Sequence, residues 1–128
     1  MAHSLITGYA YAILKAPAAV SSDGYGSPVD ISEYKGQAAA VLNAGAGTAD
    51  SGVTPALAVA IYHAAETTDT FTALSGASFT ARATTAGIEA INLDLRACKK
   101  YIKPYFDITG SGASYTVGMI GVFNDSGD

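Results

Sequence analysis

Apolar residues recurring at every second position dominate the second half of the chain, and that spacing leaves little choice of architecture. Leu57, Val59 and Ile61 share one face of an extended segment. Ile91, Leu93 and Leu95 repeat the pattern, as do Tyr115, Val117, Met119 and, beyond Gly121, Phe123. Successive strand side chains point to opposite faces, so each segment carries one apolar face that must be covered by another sheet. Turn signals separate the segments at short intervals: Glu66-Thr67-Thr68-Asp69, Ser75-Gly76-Ala77, Thr84-Thr85-Ala86-Gly87 and Gly110-Ser111-Gly112-Ala113. Short connections favour antiparallel pairing. The predicted fold is therefore all-β: one antiparallel β-sandwich, jelly-roll-like, of about eight strands, with an extended N-terminal arm.

The first half is less regular. In residues 37–44, Ala38, Ala40 and Leu42 occupy one face and Ala39 and Val41 the other; a strand apolar on both faces tends to sit centrally. Residues 29–32 read as a short extended piece before a turn at 33–36. Residues 71–74 and 78–81 read as two short strands around the Ser75-Gly76-Ala77 turn, and residues 97–100 as a short turn. Pro104 interrupts residues 101–108, and because proline cannot donate to a ladder, that strand is expected at an edge or bulged. Residues 1–20 are small and apolar with loose alternation, which suggests an extended arm with a strand around Tyr9 to Leu14. The Gly, Ser and Asp-Gly signals of residues 21–28 mark a loop. The expected organisation is an arm and loop over residues 1–28 and a β-sandwich domain over 29–128, the arm being ordered by a neighbouring chain.

A chain of 128 residues makes one domain. Its core is light, since alanine is the commonest residue, Trp is absent and only four Phe are present. Charged residues make up 14%, well under the roughly 25% of ordinary soluble domains. Such a surface is either simply neutral or partly covered by a partner. The net charge of −4 opposes direct binding to nucleic-acid phosphates, and the basic cluster of Arg96, Lys99, Lys100 and Lys103 matches no nucleic-acid motif. Residues 5–20 lack a basic leader and are interrupted by Gly8 and Lys15, so neither a signal peptide nor a membrane span is expected.

Candidate chemistry is sparse. His3 and His63 are too few for a metal site, even with Glu66 and Asp69 near His63 in sequence. Cys98 has no partner for an intramolecular disulfide and reads as a buried thiol. There is no Gly-x-Ser-x-Gly elbow, and Gly110-Ser111-Gly112 is a turn. Glu33, Glu66, Glu89 and Asp94 could supply paired carboxylates, but without Trp platforms sugar chemistry is poorly served. The glycine-rich residues 43–52 lack the Gly-Lys-Ser/Thr ending of a phosphate cradle and read as a long flexible connection. No catalytic, cofactor or metal site is expected, and the chain reads as a non-enzyme. Eight tyrosines fit either a half-buried contact surface or plain strand propensity.

The order of segments resembles the small β-sandwich virion structural proteins of tailed bacteriophages. The matching pieces are Asp30-Ile31-Ser32-Glu33-Tyr34-Lys35-Gly36, residues 56–77 through Phe71-Thr72, then Asn92-Leu93-Asp94-Leu95-Arg96, Lys100-Tyr101-Ile102-Lys103 and the closing strand from Tyr115 to Phe123. The hairpin lacks the Asp-Gly step frequent in such proteins. What the resemblance implies is a capsid decoration (cement) protein, often a homotrimer, that binds the major capsid protein and stabilises the shell. A head-completion or tail component is the neighbouring possibility. Its place would be the virion, after synthesis in the host cytoplasm, with no cofactor, nucleic acid or membrane as partner. The rival classes are a host-attachment carbohydrate-binding module and an enzyme with a shallow carboxylate site. Tyr9, Tyr11, Ile13 and Leu14 of the arm, with Tyr25 of the loop, are the candidate contact residues.

Overall fold

The computed structural model describes residues 9–124, which form nine strands and one short 3-10 turn. The strands are β1 (Tyr9–Val20), β2 (Gly24–Tyr25), β3 (Val29–Asp30), β4 (Gln37–Ala44), β5 (Ala56–Ala64), β6 (Thr72–Ser78), β7 (Gly87–Asp94), β8 (Tyr101–Thr109) and β9 (Tyr115–Asn124); the 3-10 turn is Leu95–Ala97. They make two sheets, ordered β1-β9-β4-β7 and β2-β8-β5-β6, with β3 also on β8. Every pairing is antiparallel. If β2 and β3 are taken as two pieces of one strand, the first strand pairs the last, the second the next to last, and so inward. That is a long hairpin rolled into two sheets, the jelly-roll topology expected from the sequence.

The alternating residues of the second half fill the space between the sheets. Leu57, Val59 and Ile61 face Tyr115, Val117, Met119 and Phe123, with Leu42, Leu93, Ile102 and Phe106 between them. Gly121 keeps its place in this inward row because a Cβ there would fall 2.6 Å from ring carbons of Phe123. The Phe123 ring uses that space and stacks on Tyr34, with centroids 4.7 Å apart. Tyr115 is buried, and its hydroxyl donates to the Ala83 carbonyl at 2.5 Å. This anchors the segment joining β6 to β7, which also exchanges two hydrogen bonds between Arg82 and Leu57. Glu89 closes the same side, accepting from the Thr80 amide and hydroxyl and facing Arg82 at 3.5 Å. Residues 43–52, expected to be a flexible connection, are tied to the β8–β9 hairpin: Thr48 and Ser114 exchange amide bonds, and the Asp50 amide donates to Ser111.

The largest departure from expectation is at the N-terminus. From Tyr9 onward the supposed arm is β1, paired along its length with β9 of its own chain, with Ala10 and Leu14 in the interior. Register shifts between Ile13, Lys15 and Ala18 break the alternation, and the side chains after Lys15 are too small to mark a face. The expected boundary after residue 28 falls between β2 and β3, which both pair with β8. The boundary therefore cuts through one broken edge strand. Residues 1–8, including His3 and the start of the expected arm, lie outside the described residues.

Two smaller differences have equally local causes. The expected Ser75-Gly76-Ala77 turn is an irregularity within one strand, β6, where Gly76 takes a φ of 77°. A side chain seldom adopts that conformation, which suits a bulge as well as a turn. Pro104 lies neither at an edge nor in a bulge: β8 is the second strand of its sheet, and Pro104 pairs with Ile61. The N and O of a residue in an antiparallel ladder face the same neighbour. The Pro104 carbonyl accepts from the Gly26 amide at 2.8 Å, so its missing donor faces Gly26, in the break between β2 and β3 where the edge strand is not continuous. Among the described residues no helix is long and apolar enough to cross a membrane.

If β1 is integral, a chain lacking residues 1–20 loses its cooperative thermal transition in circular dichroism. A truncated chain that melts as sharply as the full one would contradict the pairing. Leu14→Ala, which empties a fully buried site, should cost about 2–5 kcal/mol in chemical denaturation.

Candidate interaction surfaces

The outward rows of the first sheet form an aliphatic face. One rung across it joins Ile13, Ile120, Val41 and Ala90; the next joins Tyr11, Val122, Ala39 and Asn92. Five large apolar residues stand exposed among the described residues, and four of them lie here: Tyr9 (46%), Ile13 (61%), Ile88 (70%) and Ile120 (40%). Small residues between them leave hollows. One of about 350 Å³ opens over Gly118 between Ile13, Val41, Ile88 and Ile120. Another of about 370 Å³ lies over Ala39, beside Tyr9 and Val122. Lys15 is the single charged residue lining either hollow. At the rim, Asp94 is neutralised by Arg96 at 3.1 Å, an interaction that holds its carboxyl below the usual range. An apolar patch this continuous is uncommon on a solvated sheet, which makes it the candidate contact surface.

The opposite face of the sandwich is aromatic. Register places Tyr25 and Ala60 on either side of Tyr105, and Tyr62 opposite Lys103. The three tyrosine rings close into a triangle, with centroids 4.8 Å apart for Tyr25 and Tyr105, 5.3 Å for Tyr62 and Tyr105, and 5.7 Å for Tyr25 and Tyr62. Lys103 lies between two rings, its Nζ 4.0 Å from the Tyr25 centroid and 3.9 Å from that of Phe71. Each such contact contributes about 0.5–2 kcal/mol according to exposure, so the lysine braces the cluster. The Tyr105 hydroxyl is pushed up in pKa by burial first and then by Asp23 and Asp107.

The candidate contact residues divide between these faces. Tyr9, Tyr11 and Ile13 belong to the aliphatic face, and Tyr25 to the aromatic one. Leu14 is 0% exposed and points into the core, so it drops out as a contact residue. The residues missed were Val41, Ile88, Ala90, Ile120 and Val122. Val41 gave a signal in the sequence, because residues 37–44 are apolar on both faces, which predicts central placement; the other four lie on strands whose inward row alone carries the pattern.

The chemically capable residues remain scattered. No group of three or more His, Cys, Asp or Glu that could hold a metal occurs among the described residues. His63 Nδ1 accepts the Lys99 amide at 3.1 Å, a structural bond that requires the neutral ring; burial and then Lys99 lower its pKa. The Cys98 thiol is half-buried, donates to the Asp94 carbonyl at 3.4 Å and is raised to about 11, chiefly by burial. Of the basic cluster, Arg96 is paired with Asp94, Lys100 sits 4.0 Å from Asp30, and Lys103 is held by the aromatic rings. Among the carboxylates, Glu89 and Asp94 have their own partners, while Glu33 and Glu66 are exposed in turns.

No protein family matches this sequence. No curated protein is similar to it either. Among solved structures, the SPBc2 prophage-derived protein YomS is similar in fold, with a TM-score of 0.51 over 94% of this chain and 98% of that one, at 13% sequence identity.

The His63 bond makes stability depend on pH in a definite direction. The folded-state pKa lies below the ordinary 6.5, so below about pH 6.5 the unfolded chain binds the extra proton and is favoured. The contribution is complete above that pH and is lost as pH falls from there towards the folded-state value. His63→Asn, which keeps an acceptor but does not titrate, should flatten the decline of the melting temperature on mild acidification. An unchanged slope would contradict this role.

Proposed function

We propose that the chain is a structural protein of a phage particle: a non-enzymatic capsid decoration (cement) protein that binds the major capsid protein and bridges neighbouring subunits as a homotrimer. The observation that carries the reading is the aliphatic face, where four of the five large apolar residues exposed among the described residues gather with one lysine. The likeness in fold to a prophage-derived protein and the resemblance of the segment order to virion β-sandwich proteins support the same reading.

The scale of the face suits a multivalent attachment. Four strands about 4.8 Å apart and some eight residues long span roughly 20 by 26 Å. Covering such a face buries on the order of 1,000 Å² in total, the lower end for a specific interface. A single contact of that size is modest, and three linked copies convert it to firm attachment through effective concentration. The carboxylate at the rim of this face, Asp94, is paired with Arg96 at 3.1 Å, so unpaired negative charge does not oppose approach there.

The test uses particles of the phage that encodes the chain. Stripping the protein and returning it should restore the temperature at which shells release DNA. A variant carrying Ile88→Glu and Ile120→Glu should keep its strand spectrum yet bind at least about tenfold more weakly. If stripped and decorated shells fail at the same temperature, the cement role is wrong. If the protein is present in only a few copies per particle, a head-completion or tail role replaces it.

A further inference from the structure

We infer that the groove beside Tyr62 and Tyr105, on the outer face of β5 and β8, is a binding site for a neutral saccharide. The groove holds about 180 Å³ and is lined by Ala58, Ala60, Tyr62, Ser78, Tyr105 and Asp107, with Val59 and Phe79 beneath. At roughly 30 Å³ per water, it exchanges about six waters for a ligand, which is the scale of a single sugar ring.

Each part of the lining supplies what a sugar ring needs. The alternating C–H groups of a pyranose give it an apolar side that packs on aromatic rings, and two tyrosines with centroids 5.3 Å apart form the wall. The small Ala58 and Ala60 leave the floor open to a flat ligand. Asp107 is exposed, and its carboxylate makes no hydrogen bond or ion pair among the described residues. An ionised carboxylate accepts through both oxygens, so it can take two neighbouring hydroxyls of one ring. Ser78 adds a hydroxyl that both donates and accepts. Few well-placed polar groups around an apolar wall are the general form of a small-molecule site.

The site is also built in advance. Tyr105 is packed against Tyr25 as well as Tyr62. Asp23 accepts the Ile108 amide at 2.8 Å and lies near enough to Tyr105 to raise its pKa. Lys103, clamped between Tyr25 and Phe71, fixes the far side of the cluster and is not presented to the groove. Aromatic walls held this way lose little freedom on binding. The charge selects the ligand class: with Asp107 in the groove and Asp23 beside Tyr105, an acidic sugar meets repulsion and a neutral one does not. The groove lies on the face opposite the aliphatic one, so this inference does not rest on the particle-binding reading.

The experiment is an amide-resolved NMR titration of the full chain with gluco-, galacto- and manno-configured neutral oligosaccharides, and with a sialylated one, up to millimolar concentration. At least one neutral series should shift Ala58, Ala60, Tyr62, Tyr105 and Asp107, and the sialylated sugar should not. Asp107→Asn, on an exposed side chain, leaves the fold intact and should weaken binding by about tenfold. Tyr62→Leu, checked for an unchanged melting curve, should do at least as much. No shifts with any neutral series, shifts centred elsewhere, equal binding of the sialylated sugar, or affinity unchanged in Asp107→Asn would each overturn the site. Particle stability is not measured in this titration, so its outcome and that of the cement role are separable.

Discussion

The register of β9 between β1 and β4 is the constraint on which the rest of the molecule depends. One set of its alternate residues, Tyr115, Val117, Met119 and Phe123, fills the core, and the other set, Thr116, Gly118, Ile120 and Val122, faces outward. A slip of one residue would exchange the two sets, exposing two aromatic rings and burying Gly118 and Thr116. Pairing on both edges fixes the choice, since Ile120 meets Ile13 on one side and Val41 on the other. The same ladder that holds the core together therefore presents the aliphatic face.

That coupling accounts for a chain with a light interior. Seven alanines are among the buried apolar residues, and each removes little surface from water. The packing relies instead on a few large groups placed where strands cross, notably Tyr115, Phe106, Phe123 and Leu14. The molecule keeps further apolar area on its outer faces, aliphatic on one sheet and aromatic on the other.

Much of the fold was legible because period two is a local signal: β4, β5, β7, β8 and β9 could each be read from their own side chains. What escaped depended on distant partners. β1 was legible as a strand only around Tyr9 to Leu14, because its register shifts and its Ala-Pro-Ala-Ala run erase the alternation beyond, and its pairing is with β9 more than a hundred positions away. Pro104 was misjudged since its tolerance arises from a gap in the facing edge strand, set by residues 26–28. The outward aliphatic rows were visible only as Ala39 and Val41, but a single strand does not reveal whether its second apolar face meets a layer or solvent. The tyrosine triangle was beyond reach, because residues 25, 62 and 105 come together only through the strand order of the second sheet.

The central claim is that the outward row of β9 and its neighbours is the surface by which the protein attaches. Hydroxyl-radical footprinting of the protein free in solution and bound to its particle tests this directly. The account predicts that Ile13, Ile88 and Ile120 lose most of their side-chain oxidation on binding, while Glu33 and Glu66, in exposed turns, react equally in both states. Oxidation of the three isoleucines that is undiminished in the bound protein would contradict it.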